Sequence, residues 1–101
     1  MLHVLATIEL NPGTREAFLA EFRKIVPLVR AEEGCIEYGP AVDATTDLER
    51  QAKFPDTVVV VEKWTTLAAL KAHLAAPHMA AYRPKVKDYI RGSTMRVLDP
   101  A

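Results

Sequence analysis

The chain has 101 residues, half of them hydrophobic and 26% charged, with 13 Lys+Arg set against 13 Asp+Glu and a single cysteine. A chain of this length forms one domain, 1–101, that hides only about 65% of the surface its unfolded form exposes, so a second subunit would add useful burial. Balanced charge leaves no electrostatic footprint for nucleic acid or an acidic membrane, no apolar run approaches the ~20 residues that cross a bilayer, and Cys35 alone excludes an intrachain disulfide.

Leu2 to Leu10 has apolar residues at every even position, the two-residue period of a strand with one face in a core. Asn11-Pro12-Gly13 turns the chain, and Thr14 is placed to cap a helix reaching about Glu33, in which Phe18, Phe22, Ile25 and Val29 form an apolar stripe. Pro27 inside it removes a backbone hydrogen bond and predicts a kink, and Gly34 follows as the C′ residue. A second strand, Cys35 to about Asp43, carries Tyr38 and is broken by Gly39-Pro40, which suits an edge or a bulge.

Ala44 to Thr57 is polar and aperiodic, a long loop of the kind that shields a site. Val58 to Trp64 opens with four valines, apolar on both faces, so this strand is expected to be covered on both sides, with a second copy of the chain over one of them. Thr65 or Thr66 can cap a helix through about Ala76, with Leu67, Leu70 and Leu74 as its stripe and His73 beside it. Pro77 opens a further helix with Met79, Tyr82, Val86 and Ile90 on one side, bent or split at Pro84 and stopped by Gly92. Thr94 to Leu98 makes a last short strand. The order βαββα(α)β predicts an α+β, ferredoxin-like antiparallel sheet with helices on one face.

No metal site is expected, because His73 and His78 fall on two helices with no carboxylate at ligand spacing. No Gly-rich phosphate loop follows a strand, so no nucleotide cofactor is expected, and Cys35 reads as a small buried hydrophobe. What remains is a set of aromatic and imidazole groups, Tyr38, Trp64, His73, His78 and Tyr82, that converges if the short helices fold over the sheet. Aromatic walls with a few polar groups describe a pocket for a flat apolar molecule, although Trp64 and Tyr82 could equally fill the core. His78, just after Pro77, sits at the positive end of a helix, which favours a neutral imidazole able to act as a base. His73 is its orienting partner or the alternative base, and His3 reads as structural.

Glu62-Lys63-Trp64, Leu70 and His73-Leu74-Ala75-Ala76-Pro77-His78-Met79, with Glu32-Glu33-Gly34-Cys35 and Tyr38 upstream, resemble the signature of the antibiotic biosynthesis monooxygenase family, on its bacterial quinol monooxygenase side. Lys24 to Pro27, Pro40 to Asp43 and the loop ending in Pro55-Asp56 extend the resemblance over essentially the whole chain. It implies a dimeric α+β barrel with a pocket between sheet and helices, and oxidation of a quinol or related small phenolic aromatic by dioxygen without metal, haem or flavin. The residues themselves make His78 and His73 the catalytic candidates and Tyr38, Trp64, Met79 and Tyr82 the substrate-binding ones.

The chain departs from haem-degrading relatives, with Ala6 where they carry Asn and Tyr82-Arg83 where they carry a ligand His, and from the polyketide oxygenases, with Val60 where they carry Asn. The rival readings are an isomerase for a small hydroxyketone signal molecule and a non-catalytic quinone-binding homodimer. The expected setting is cytoplasmic, since the N-terminus lacks the basic region and cleavage pattern of a signal peptide.

Overall fold

The computed structural model describes Met1 to Ala101. Strand β1 is Leu2–Leu10, helix α1 Arg15–Arg30, β2 Cys35–Ala41, β3 Thr57–Trp64, α2 Leu67–Leu74, α3 Pro77–Val86 and β4 Ile90–Leu98, with a 3-10 turn at Lys87–Tyr89. The strands lie in the order β2-β3-β1-β4 and every neighbouring pair is antiparallel, the expected ferredoxin-like α+β arrangement.

Alternation decides what faces the helices. Val4 and Leu10 of β1 and Val58, Val60, Glu62 and Trp64 of β3 are buried against Phe18, Phe22, Ile25 and Val29 of α1. Val59 and Val61 point the other way and stay partly exposed, because the helices cover one face of the sheet only. On β4 the helix-side residues Met95 and Val97 remain 50% and 43% exposed, so the helix layer stops short of that edge.

Strand β2 is both an edge and bulged: Cys35 lies opposite Trp64 and Glu37 opposite Lys63, which leaves Ile36 as the extra residue. The bulge reverses the parity of the strand. Cys35 and Tyr38, three apart, would face opposite sides of a regular strand, yet both pack on the helix side. Tyr38 is thereby set opposite Glu62.

Several boundaries differ from the sequence reading. Helix α1 ends at Arg30, three residues before Glu33, and it runs on through Pro27. Thr14 does not cap it through its side chain; its hydroxyl donates back to the Asn11 carbonyl at 2.7 Å. In α2 the buried residues are Leu70 and His73, while Leu67 and Leu74 of the anticipated stripe are 50% and 38% exposed. The helix is only eight residues long, so contact with β3 rather than a continuous stripe selects its inward face. Helix α3 is unsplit at Pro84 and ends at Val86; Gly92 lies inside β4, which starts four residues before Thr94.

Candidate active site

Three local devices bring α1, β3 and α2 together. Thr66 caps α2, its hydroxyl accepting from the Ala69 N–H at 3.1 Å, which contributes about 1 kcal/mol. Gly34, at φ +82°, makes the turn out of α1 and accepts from the Thr65 N–H at 2.8 Å. A Cβ there would lie 2.5 Å from the Cβ of Ala69, so only glycine allows the turn to close on α2. Glu32, two residues earlier, is carried by this turn to the inner end of α2.

There it meets both histidines. His73 Nδ1 and His78 Nε2 lie 2.9 Å and 2.8 Å from the same oxygen, Glu32 Oε2. An ionised carboxylate only accepts, so each ring donates to it. His73 is 2% exposed, and its ring packs against Trp64 and Tyr38 with centroids 4.8 Å and 5.3 Å away. Its second nitrogen, Nε2, has no partner in the protein, whereas every sealed side-chain nitrogen or oxygen has one; Nε2 therefore keeps an opening.

His73 lines a cavity of about 320 Å³ between sheet and helices. Its apolar wall includes Phe22, Tyr38, Met79 and Tyr82, its polar groups include His73 and Glu62, and Arg83, Ser93 and Thr94 stand on its α3 and β4 sides. The size falls within the ~300–1,000 Å³ typical of small-molecule sites. Glu62 is 6% exposed and accepts from the Trp64 indole N–H at 2.8 Å. Burial pushes its carboxyl above the ordinary carboxylate value, against the opposing pull of the indole hydrogen bond and of His73. Burial also pushes the phenols of Tyr38 and Tyr82 well above the ordinary value, so both stay neutral donors at physiological pH. The Cys35 thiol is raised by burial and then by the carboxylates of Glu32 and Glu62, the opposite of an activated nucleophile.

Of the residues singled out from sequence, His73, Tyr38, Met79 and Tyr82 share this cavity, and Trp64 and His78 do not line it. Trp64 is completely buried behind His73 and Glu62, where its ring and N–H hold those two groups in place. His78 lies in a separate outer groove between α1 and α3, beside Glu21, Lys24 and Lys85. A carboxylate, rather than a bare helix end, faces its ring. The loop from Val42 to Asp56 lines no part of the cavity; Asp56 ties its end to Leu10 and Gly13 instead.

From sequence, Glu32 and Glu62 stand in the family signature and Phe22 in the stripe of α1, none of them with a role at the site. Glu62 was detectable as a carboxylate on the same parity of β3 as Val58, Val60 and Trp64. The contact of Glu32 with His73 was not detectable, because 41 positions separate the two. The expectation that no carboxylate stands near the histidines is therefore corrected: the ligating atoms of Glu32, His73 and His78 lie within 4.8 Å of one another, a donor set of the kind that holds a divalent cation. As folded, the carboxylate oxygen fills the space between the two nitrogens with hydrogen bonds.

A sequence model of the family described as Antibiotic biosynthesis monooxygenase matches residues 1–85. The chain belongs to this family. It is 44% identical over 102 residues to the "Probable quinol monooxygenase YgiN" of Escherichia coli strain K12, covering 99% of this chain and 98% of that relative. Among solved structures, PA3566 from Pseudomonas aeruginosa superimposes with a TM-score of 0.81 at 26% identity, covering 99% of this chain and 93% of that one. A structure described as an antibiotic biosynthesis monooxygenase does so with a TM-score of 0.81 at 27% identity, covering 100% and 99%. Membership supports a monooxygenase, and the cavity between helices and sheet has room for a small molecule. The family match includes Glu32, Glu62 and both histidines and stops before Ser93, Thr94 and Met95, which close the β4 side of the cavity.

Proposed function

We propose that this protein oxidises a quinol or related small phenolic aromatic with dioxygen, without a metal or organic cofactor. The carrying observation is an apolar, aromatic-walled cavity lined by His73, whose Nδ1 is held by Glu32 and whose Nε2 has no partner in the protein. His73 is the base in this reading and His78 is not, since only His73 lines the cavity. Phe22, Tyr38, Met79 and Tyr82 sandwich a flat ring, and the neutral phenols of Tyr38 and Tyr82 donate to its oxygens.

The chemistry closes on itself. His73 Nε2 takes a hydroxyl proton, the quinolate passes one electron to dioxygen, and the resulting radical pair joins as a peroxide on a ring carbon. Loss of the hydrogen on that carbon breaks the O–O bond, leaving a new carbonyl, and the proton borrowed by His73 completes the water that departs. Quinol plus dioxygen gives hydroxyquinone plus water, with no external reductant. The apolar walls of the pocket strengthen each of these interactions.

A homodimer fits the outer face of the sheet, where Leu5, Val59, Val61 and Leu98 are only partly covered in one chain. No helix is long and apolar enough to cross a membrane, and a cytoplasmic setting suits the lone thiol of Cys35.

The test is oxygen consumption with a reduced naphthoquinol. Uptake should exceed autoxidation of the quinol and fall about a hundredfold or more in His73→Ala. Quinone binding without uptake would replace this reading by that of a binding protein, and uptake unchanged in a folded His73→Ala variant would remove His73 as the base.

A further inference from the structure

We propose that Glu32 is the positioning carboxylate of this site: it holds His73 in the tautomer whose bare Nε2 opens into the cavity, while His78 pins Glu32 from the solvent side. The inference rests on the reading of His73 as the base. Both rings meet the same atom, Oε2, at 2.9 Å and 2.8 Å, and an oxygen that only accepts dictates which ring nitrogens carry hydrogen. For His73 that nitrogen is Nδ1, so the lone pair is left on Nε2. The opposite tautomer would present an N–H to the substrate hydroxyl and could not take its proton.

The carboxylate has a second task. The proton taken from the quinol is needed again to form water, so the imidazolium must persist while oxygen adds. A negative charge 2.9 Å from Nδ1 stabilises that cation in a nearly sealed place. Glu32 itself hangs from the end of α1, past the last helical residue, and a lone glutamate there would have several rotamers. His78 Nε2–H removes that freedom, with His78 fixed by Pro77 at the start of α3. The role of His78 thus follows from the groove it lines: it touches Glu32 and does not reach the substrate cavity.

The ionisable groups around His73 are Glu32 from the end of α1, Tyr38 of β2, Glu62 of β3, and His78, Tyr82 and Arg83 of α3. Changes at Glu32 leave the others in place, so differences from wild type report the carboxylate. Two readouts are needed. Nitrogen-15 NMR of the folded protein without substrate, at a pH where the rings are neutral, should show His73 protonated at Nδ1 in wild type and a mixture of tautomers in Glu32→Ala. With reduced naphthoquinol, Glu32→Ala should lower kcat by ~10–100-fold with KM within about twofold, the loss typical of a residue that orients another. In Glu32→Gln the amide oxygen can still accept from Nδ1, but the charge is gone, so the acid limb of kcat/KM should move to lower pH. His78→Ala should lose less than Glu32→Ala.

An unchanged His73 tautomer in Glu32→Ala overturns the proposal. So does an acid limb unmoved in Glu32→Gln, which also decides the matter if Glu32→Ala does not fold, or a loss in His78→Ala as large as in His73→Ala. A tautomer shift in a protein whose wild type consumes no oxygen upholds the hold of Glu32 on His73 and refutes the quinol reading alone.

Discussion

Removing either partner of the buried Trp64–Glu62 hydrogen bond should destabilise the protein far more than removing both. Trp64 is completely buried, Glu62 is 6% exposed, and the indole N–H donates to Oε1 at 2.8 Å. Trp64→Phe keeps an aromatic ring in place and strands the carboxylate, which costs about 1–3 kcal/mol beyond the packing lost with the smaller ring. Glu62→Met, unbranched and of similar length, strands the indole donor at a similar cost. The double variant strands neither, so the cycle should give a coupling of about 1.5–3 kcal/mol, well outside the ~0.5 kcal/mol within which independent sites add. Each kcal/mol moves the midpoint of a domain this size by about 4–8 °C, so calorimetry or urea unfolding resolves it.

The same pair has a pH signature. Burial raises the folded-state titration of Glu62 above its unfolded value, so its contribution to stability is present at low pH and is lost as pH rises through the folded value. Glu62→Met should therefore gain on wild type as pH rises above the ordinary carboxylate value, while the coupling to Trp64 grows as the acceptor becomes charged. Additive losses, or a difference between Glu62→Met and wild type that is flat in pH, would refute the reasoning.

Gly34→Ala should lose at least about 1–2 kcal/mol from its positive φ alone, with more from the clash with Ala69, and should weaken oxygen uptake because the same turn delivers Glu32; unfolding curves and uptake measured together check both. The phenols of Tyr38 and Tyr82 should remain protonated up to about pH 10 in the folded protein, so Tyr38→Phe and Tyr82→Phe should leave the ultraviolet tyrosine titration below that pH as it is in wild type. Sedimentation at micromolar concentration should show a dimer; a folded 11.2 kDa species alone would rule out pairing through the sheet.

Local rules were enough for much of this molecule. The even-position apolar pattern of Leu2 to Leu10, the stripe of Phe18, Phe22, Ile25 and Val29 and Pro77 as a helix start each act over a few residues, and each appears where the sequence put it, whereas α1 stops at Arg30, short of the stop expected at Gly34. The order of these elements sufficed for a ferredoxin-like α+β sheet. The motif around Glu62-Lys63-Trp64 and His73 to Met79 also pointed to the right family before any contact was known.

What period and spacing could not carry was direction. A two-residue period makes no provision for a bulge, and the extra residue in β2 is what turns Tyr38 to the same side as Cys35 and sets it opposite Glu62. In an eight-residue helix the inward face is chosen by the surface it meets, so His73 entered the core and Leu67 and Leu74 stayed outside. The position of His78 after Pro77 suggested a base, yet which cavity a ring reaches depends on the packing of α3 against α1. Above all, Glu32 lies 41 residues from His73 and 46 from His78, and nothing local relates them. Only the closure of Gly34 on α2 brings that carboxylate between the two rings, because a hydrogen bond is decided by a few ångströms of space and sequence separation carries no information about them.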